Sequence, residues 1–480
     1  MKDYQTQIQR IKEKLLQAKV LDKDFEVFGA DSHEYILNPP IDMKTVENFE
    51  QKHKVSLPIE YKLFVTQIGN GGISSSNSGA GPHYGIFPFG EEFQILFSDW
   101  DARQLASPHL FYPKMSDEFW NDKIKKLNEN LDVEEVADDE YEKREAEIFG
   151  GIFIIGTQGC TYYHGLVVNG EYAGRIINID LGHQKPKFSY ETNFLDWYEQ
   201  WLDDIIEGNL TQENPGDFGY QKGGKEVDLL QLFLNATDEE TKEELLYGLL
   251  YKKSISDETL LYLHHHYENE HQNIQVLILK LLVIHHHPSA HELLKEMYDK
   301  NLLDALQITH WYIKENHQPW VDLTRKYIPT IQDKNTFDFA TYILAKDVFE
   351  DFNVLKPFIL HPESSFRKTV LYTFSKAANK VEYENEFLIG LEANEPKELI
   401  QALQAIKGLK TKSILKKSQE LVLKYPYKEV APDENGMRYY NSDTDILVYI
   451  TSNLVRVLNE YGLNHQSILK IDPENFEIDG

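Results

Sequence analysis

The sequence predicts two architectures in succession: an α+β domain with a mixed sheet and flanking helices, then an all-α array of helical repeats. Three observations carry this. Glycine-broken apolar runs between Tyr84 and Ile179 read as strands, and a 31-residue apolar repeat begins at Thr237. Between the two, Glu207–Glu226 is rich in Gly, Asn and Pro and lacks periodicity, which marks a linker. The expected division is therefore residues 1–206, a linker at 207–226, and a helical domain at 227–480 with 425–480 as its cap.

The N-terminal run "MKDYQTQIQRIKEKLLQAKVL" has helical spacing, and Asp42 is placed to cap a helix bearing Val46 and Phe49. In "LPIEYKLFVTQIGNGG", Pro58 suits a first helical turn because its missing N–H would have no partner there. Tyr61, Phe64, Val65 and Ile68 follow at helical spacing. Gly69 is expected to end the helix at positive φ, with Asn70, Gly71 and Gly72 making a sharp exit. Strands are expected at Tyr84–Phe89, Ile152–Ile155, Tyr162–Val168 and Gly174–Ile179, with a hairpin at Asn169-Gly170. A helix closes the region, with Phe194, Trp197, Trp201 and Ile205 on one face. Residues 91–149 form a charged insertion.

The second half has a different period. Segments starting at Thr237, Glu268, Asp299, Thr330, His361 and Glu392 carry one residue pair in fixed register. The pairs are Leu246/Leu250, Leu277/Leu281, Ile308/Tyr312, Phe339/Ile343, Val370/Phe374 and Gln401/Ala405. Apart from Gln401 these are apolar or aromatic, and an i, i+4 apolar pair at a constant period is what stacked helical hairpins require, since each covers its neighbour's apolar face. Two segments look like second helices of HEAT-type repeats, although the 31-residue period is shorter than usual for that family.

The chain has 480 residues, 78 acidic against 49 basic, and a net charge of -29, which disfavours a nucleic-acid binder. Cys160 is the single cysteine, so no internal disulfide forms and a reducing compartment is the simpler expectation. The N-terminal helix lacks signal-peptide character, and no stretch has the apolar length of a membrane span. The expected location is cytoplasmic, without membrane or nucleic-acid partners.

Leu57-Pro58 leading through Tyr61 and Phe64 to Asn70-Gly71-Gly72 resembles the signature of the SUKH superfamily. The resemblance continues through "YGIFPFG", "FGGIFIIGTQGCTYYHGLVVNG" and the helix bearing Trp197, and covers about residues 40–206. Such domains occur as bacterial immunity proteins against polymorphic toxins and in a fungal cell-wall synthesis regulator. The resemblance implies binding without catalysis: a domain that seals a toxin by stoichiometric occlusion, with no cofactor. The long insertion and the helical array depart from the family pattern. A regulatory scaffold that binds a cellular partner through the helical array is the second expectation.

Other constellations have plainer explanations. Cys160 and His164 fall in one strand-like run, where i and i+4 lie roughly 13 Å apart, too far for a thiol–imidazole pair. A buried structural thiol is expected there. His264, His265, His266 and His271, with His285, His286, His287 and His291, sit near helix ends, where imidazoles cap carbonyls. No carboxylate or Cys pattern completes a metal site, so none is expected. The segment Leu131–Glu147 holds nine acids, either a solvated face or a docking face for a basic toxin domain. The docking candidates are Glu134, Glu135, Asp138, Asp139 and Glu140.

Overall fold

Five short strands form one sheet: β1 (Gly85–Ile86), β2 (Ile152–Gly159), β3 (Tyr162–Val167), β4 (Ile176–Asp180) and β5 (Lys187–Phe188). Their spatial order is their chain order, and each pair is antiparallel. The sheet is thus not mixed as expected. From β2 onward the strands follow one another through short connections, Cys160-Thr161 being the shortest, and such links permit only antiparallel neighbours. Residues Ile152–Ile155 of β2 are all buried, because both faces of this interior strand are covered.

The computed structural model describes residues 4–72, 74, 77–91, 104–127, 144, 147–213, 216–426 and 442–478. The whole is a helix-rich α+β chain that divides into two compact units, Met1–Leu281 and Leu282–Gly480. In the first unit the sheet is flanked by α1 (Tyr4–Leu21), α2 (Ala30–His33), α3 (Met43–His53), α4 (Ile59–Leu63), α5 (Asp117–Leu127) and α6 (Phe194–Ile206). Asp42 caps α3 through the Lys44 amide, as its side chain predicts. Helix α6 carries Trp197, Trp201, Phe194 and Ile205 into the core and is braced by α1. The Glu199 carboxylate accepts from Gln7 at 3.1 Å, Arg10 Nη2 at 2.8 Å and Lys14 at 2.8 Å. Those donors together hold Glu199 down at about 2, although burial works the other way.

The region 91–149 is more than a charged insertion. Leu105, Phe111, Met115 and Trp120 belong to the sheet's core, and Trp120 Nε1 donates to the His183 carbonyl at 2.9 Å. The stretch expected as a linker is also packed. Leu210 and Phe218 join the same core, Lys187 Nζ donates to the Tyr220 carbonyl at 2.7 Å, and Gln212 reaches the Tyr251 carbonyl at 2.9 Å. The first unit also takes in α7 (Glu226–Asn235), α8 (Glu239–Leu250) and α9 (Asp257–His266), and its boundary lies within α10 (Gln272–Ile284).

The second unit is helical throughout its described residues: α11 (Ala290–Lys300), α12 (Leu302–Tyr312), α13 (Gln318–Tyr327), α14 (Lys334–Leu344), α15 (Ser364–Phe374), α16 (Glu384–Leu391), α17 (Pro396–Ala405), α18 (Lys412–Lys424) and α19 (Ser442–Glu460). Helices α12, α14, α15 and α17 pack each on the next, and α17 packs on α19. Each of the six residue pairs in the 31-residue register lies within one helix: α8, α10, α12, α14, α15 and α17. Polar contacts between neighbouring helices keep the same spacing. Ser364 donates to Glu395 at 2.7 Å, Thr369 to Asp338 at 2.9 Å, and Arg367 forks onto Glu398 at 2.7 and 2.6 Å, all between residues 31 apart.

Candidate functional site

The residues that carry the family resemblance build a corner. Leu57 and Tyr61 are buried, and Pro58 precedes the first turn of α4. The helix then widens into a π turn over Phe64–Ile68, closed by the Gly69 amide bonding the Phe64 carbonyl at 3.1 Å. Gly69 is extended, at φ 175°, and not left-handed as expected. A side chain is excluded there by contact, since a Cβ would lie 2.6 Å from Leu37 Cβ. Asn70 is the joint: its amide bonds the Asn38 carbonyl at 3.0 Å, and its Oδ1 accepts from the Phe89 amide at 2.6 Å. Gly71 is left-handed at φ 58°, and a Cβ would meet Pro88 N at 2.2 Å. Gly72 presses on Gly79, where a Cβ would come within 2.4 Å. Trp197 is fully buried between His164 at 5.1 Å, Phe194 at 5.6 Å and Phe218 at 5.9 Å. These side chains and glycines hold the corner together.

Cys160 is exposed, which corrects the expected buried thiol: β2 ends at Gly159, so Cys160 occupies the hairpin turn, at φ 51°. His164 instead faces inward, fully buried, with Nε2 3.3 Å from the Pro82 carbonyl and Nδ1 3.3 Å from the Gln158 amide. The carbonyl requires Nε2 to donate and the amide NH₂ requires Nδ1 to accept, which defines a neutral imidazole. Burial, and then the neighbouring His83, hold it well below its ordinary pKa.

Of the clustered histidines, His266 Nδ1 meets the Tyr262 carbonyl at 2.8 Å, a helix-end cap, and His287 Nδ1 bonds Ser289 Oγ at 2.8 Å. Among the described residues, no three His, Cys, Asp or Glu side chains are grouped to share a metal ion. Glu134, Glu135, Asp138, Asp139 and Glu140 lie outside the described residues.

One feature had no signal in the sequence. A cleft of about 560 Å³ in the first unit is lined by Arg175, Lys187, Lys185, Lys114, Tyr190 and Tyr220, among others. Arg175 lies over the Phe188 ring and donates to the Ser189 carbonyl at 2.6 Å, while its Nε is buried without a partner. Lys114 is paired with Glu240 and Glu244, the latter also lining the cleft, and Lys185 with Asp117; among the described residues Arg175 and Lys187 form no ion pair. These residues are brought together by β4, β5 and the segments beside them, far apart in sequence and with no shared motif. The cleft thus sets cationic side chains beside aromatic rings.

No family model, curated protein or solved structure matches this chain. Among the described residues, no helix is long and apolar enough to cross a membrane.

Proposed function

We propose that this chain is a bacterial immunity-type protein whose SUKH-like region binds a cognate toxin domain and neutralises it by stoichiometric occlusion. The observation that carries the reading is the convergence of the family-like elements on one aromatic core. Tyr61 meets Phe153 at 5.7 Å and Phe194 at 5.1 Å, and Phe64 meets Tyr198 at 4.7 Å. Elements separated by more than a hundred residues thus form one rigid scaffold. A scaffold of this kind suits preorganised binding, because little entropy is lost when it docks. The toxin's chemistry is basic, matched by the acids between Asp132 and Glu147 and by the chain's net charge of -29.

The test replaces Glu134, Glu135, Asp138, Asp139 and Glu140 by Gln or Asn and follows association with any basic toxin domain found encoded beside this gene. Association slows roughly tenfold or more at low ionic strength, and the difference closes as salt shortens the Debye length to about 3 Å at 1 M. Equal association rates at low salt would remove the insertion from the interface, and absence of any complex would remove the immunity reading.

A second reading is favoured by the polar contacts that join residues 31 apart between α14, α15 and α17. They support a helical solenoid of HEAT-like hairpins with its C-terminal helices as a cap. A solenoid is a scaffold for partner proteins, and the SUKH-like region would then be one module of an assembly.

A further inference from the structure

In an acidic chain, one end of the repeated helices collects unpaired lysines. Lys314, Lys346, Lys376 and Lys407 follow the C-termini of α12, α14, α15 and α17, spaced by 32, 30 and 31 residues. Among the described residues none has a carboxylate within ion-pairing distance. The acids along this edge have other partners: Asp347 binds Arg325, Glu350 accepts from the Ala378 amide, and Glu460 accepts from the Gly408 amide and from Arg456.

An aromatic accompanies each of the first three. Trp311, Tyr342 and Tyr372 are 45%, 43% and 47% exposed, and they recur 31 and 30 residues apart. Contacts run from one helix to the next along this edge. Trp311 meets Phe339 at 5.1 Å, His310 meets Tyr342 at 5.3 Å, and Lys346 Nζ donates to the His310 carbonyl at 3.2 Å. Further on, Lys376 lies 4.5 Å over the Tyr372 ring, and Lys380 donates to the Lys407 carbonyl at 2.6 Å. Helix-end capping accounts for Lys346 and Lys380. It does not account for Lys314, Lys376 and Lys407, which are exposed and whose ammonium groups bond no carbonyl.

Grouping like charges is unfavourable, and the titration of neighbours records it. Burial and then Lys314 lower Lys346; burial lowers Lys380 first, with Arg456, Lys407 and Lys376 adding to it and Glu460 opposing. A partner of opposite charge would relieve that repulsion, and exposed rings beside cations are the residue types that anchor interfaces.

We propose that this edge, with one lysine per helical hairpin and an exposed ring beside three of them, is the docking surface for an extended acidic segment of a partner protein that also carries aromatic or apolar side chains. The inference is independent of the immunity reading, which places its docking face in the other unit. Neighbouring helices lie about 8–10 Å apart, so four span roughly 24–30 Å, the reach of about eight or nine extended residues. Duplex or single-stranded nucleic acid fits less well, because its denser charge is repelled by the rest of a chain at -29.

The experiment uses the full chain and a fluorescein-labelled peptide of about 12 residues repeating Glu-Phe-Glu, long enough to cross the four helices. Anisotropy titrations compare wild type, the triple variant Lys314→Gln, Lys376→Gln and Lys407→Gln, and a second variant, Trp311→Ser with Tyr372→Ser. Both variants alter exposed side chains, and unchanged thermal unfolding checks that they fold. Saturable one-to-one binding to wild type, weakened tenfold or more in each variant, supports the proposal. It is overturned by no saturable binding to wild type, by equal affinity in both folded variants, or by tighter binding of a single-stranded oligonucleotide than of the peptide.

Discussion

His164 shows how much a single buried side chain commits the first unit. With His33 and His83 it makes three inward-facing imidazoles that fold in the neutral form. Burial lowers His33 and His83 to about 4 from an ordinary 6.5, and places His164 well below that range. Between those values the unfolded chain binds the proton and the folded chain does not. Stability contributed by a neutral imidazole is therefore complete above about pH 6.5 and lost as pH falls toward 4. For His33, which is 3% exposed, the shift corresponds to about 3 kcal/mol. Urea unfolding measured from pH 7 down to about 4 should show a steep loss of stability, and His33→Asn should flatten the profile. A profile unchanged by that substitution would show that the imidazole does not couple to folding. None of this was legible in the sequence, where "HYGIF" and "YYHG" carry no mark of burial. Gly69 taught the converse: its glycine was visible, but the reason was contact with Leu37 and not a left-handed turn.

At the scale of elements, the rungs between α14, α15 and α17 are the most informative. Glu398 is 3% exposed, and the Arg367 fork satisfies its carboxylate; the same hydrogen bonds raise the Arg367 guanidinium further. Arg367 is partly exposed and also donates to the His361 and Pro362 carbonyls, so Glu398→Ala should cost about 1–3 kcal/mol in chemical denaturation. The double replacement Arg367→Leu with Glu398→Leu should recover most of that loss, since paired burial of charge contributes little net stability. A double variant as unstable as the single one would point to packing, not charge, at this junction. The 31-residue apolar register was readable because a core demands it at fixed spacing. The polar rungs in the same register escaped notice, because Ser, Thr, Asp, Glu and Arg on a helix surface usually face water.

For the whole molecule, charge was a question of partners and packing a question of boundaries. Glu207–Glu226 reads as a linker from composition, yet Leu210 and Phe218 anchor it in the core and Tyr220 accepts from Lys187. Brief native trypsin digestion should therefore spare Lys222 and Lys225. Early cleavage at either site, followed by release of two folded fragments, would restore the linker interpretation.

The sequence by itself determined the change from strand-like to helical periods, the register of the repeat, the acidic balance and the cap at Asp42. Each is a local or periodic property, and local sterics and apolar spacing suffice to express it. The antiparallel order of the sheet, the burial of His164, the exposure of Cys160, the cleft at Arg175 and the packing of Leu210 and Phe218 were decided by tertiary structure. They depend on which distant segments share a core, and a side chain's burial and charge environment are properties of its neighbours in space.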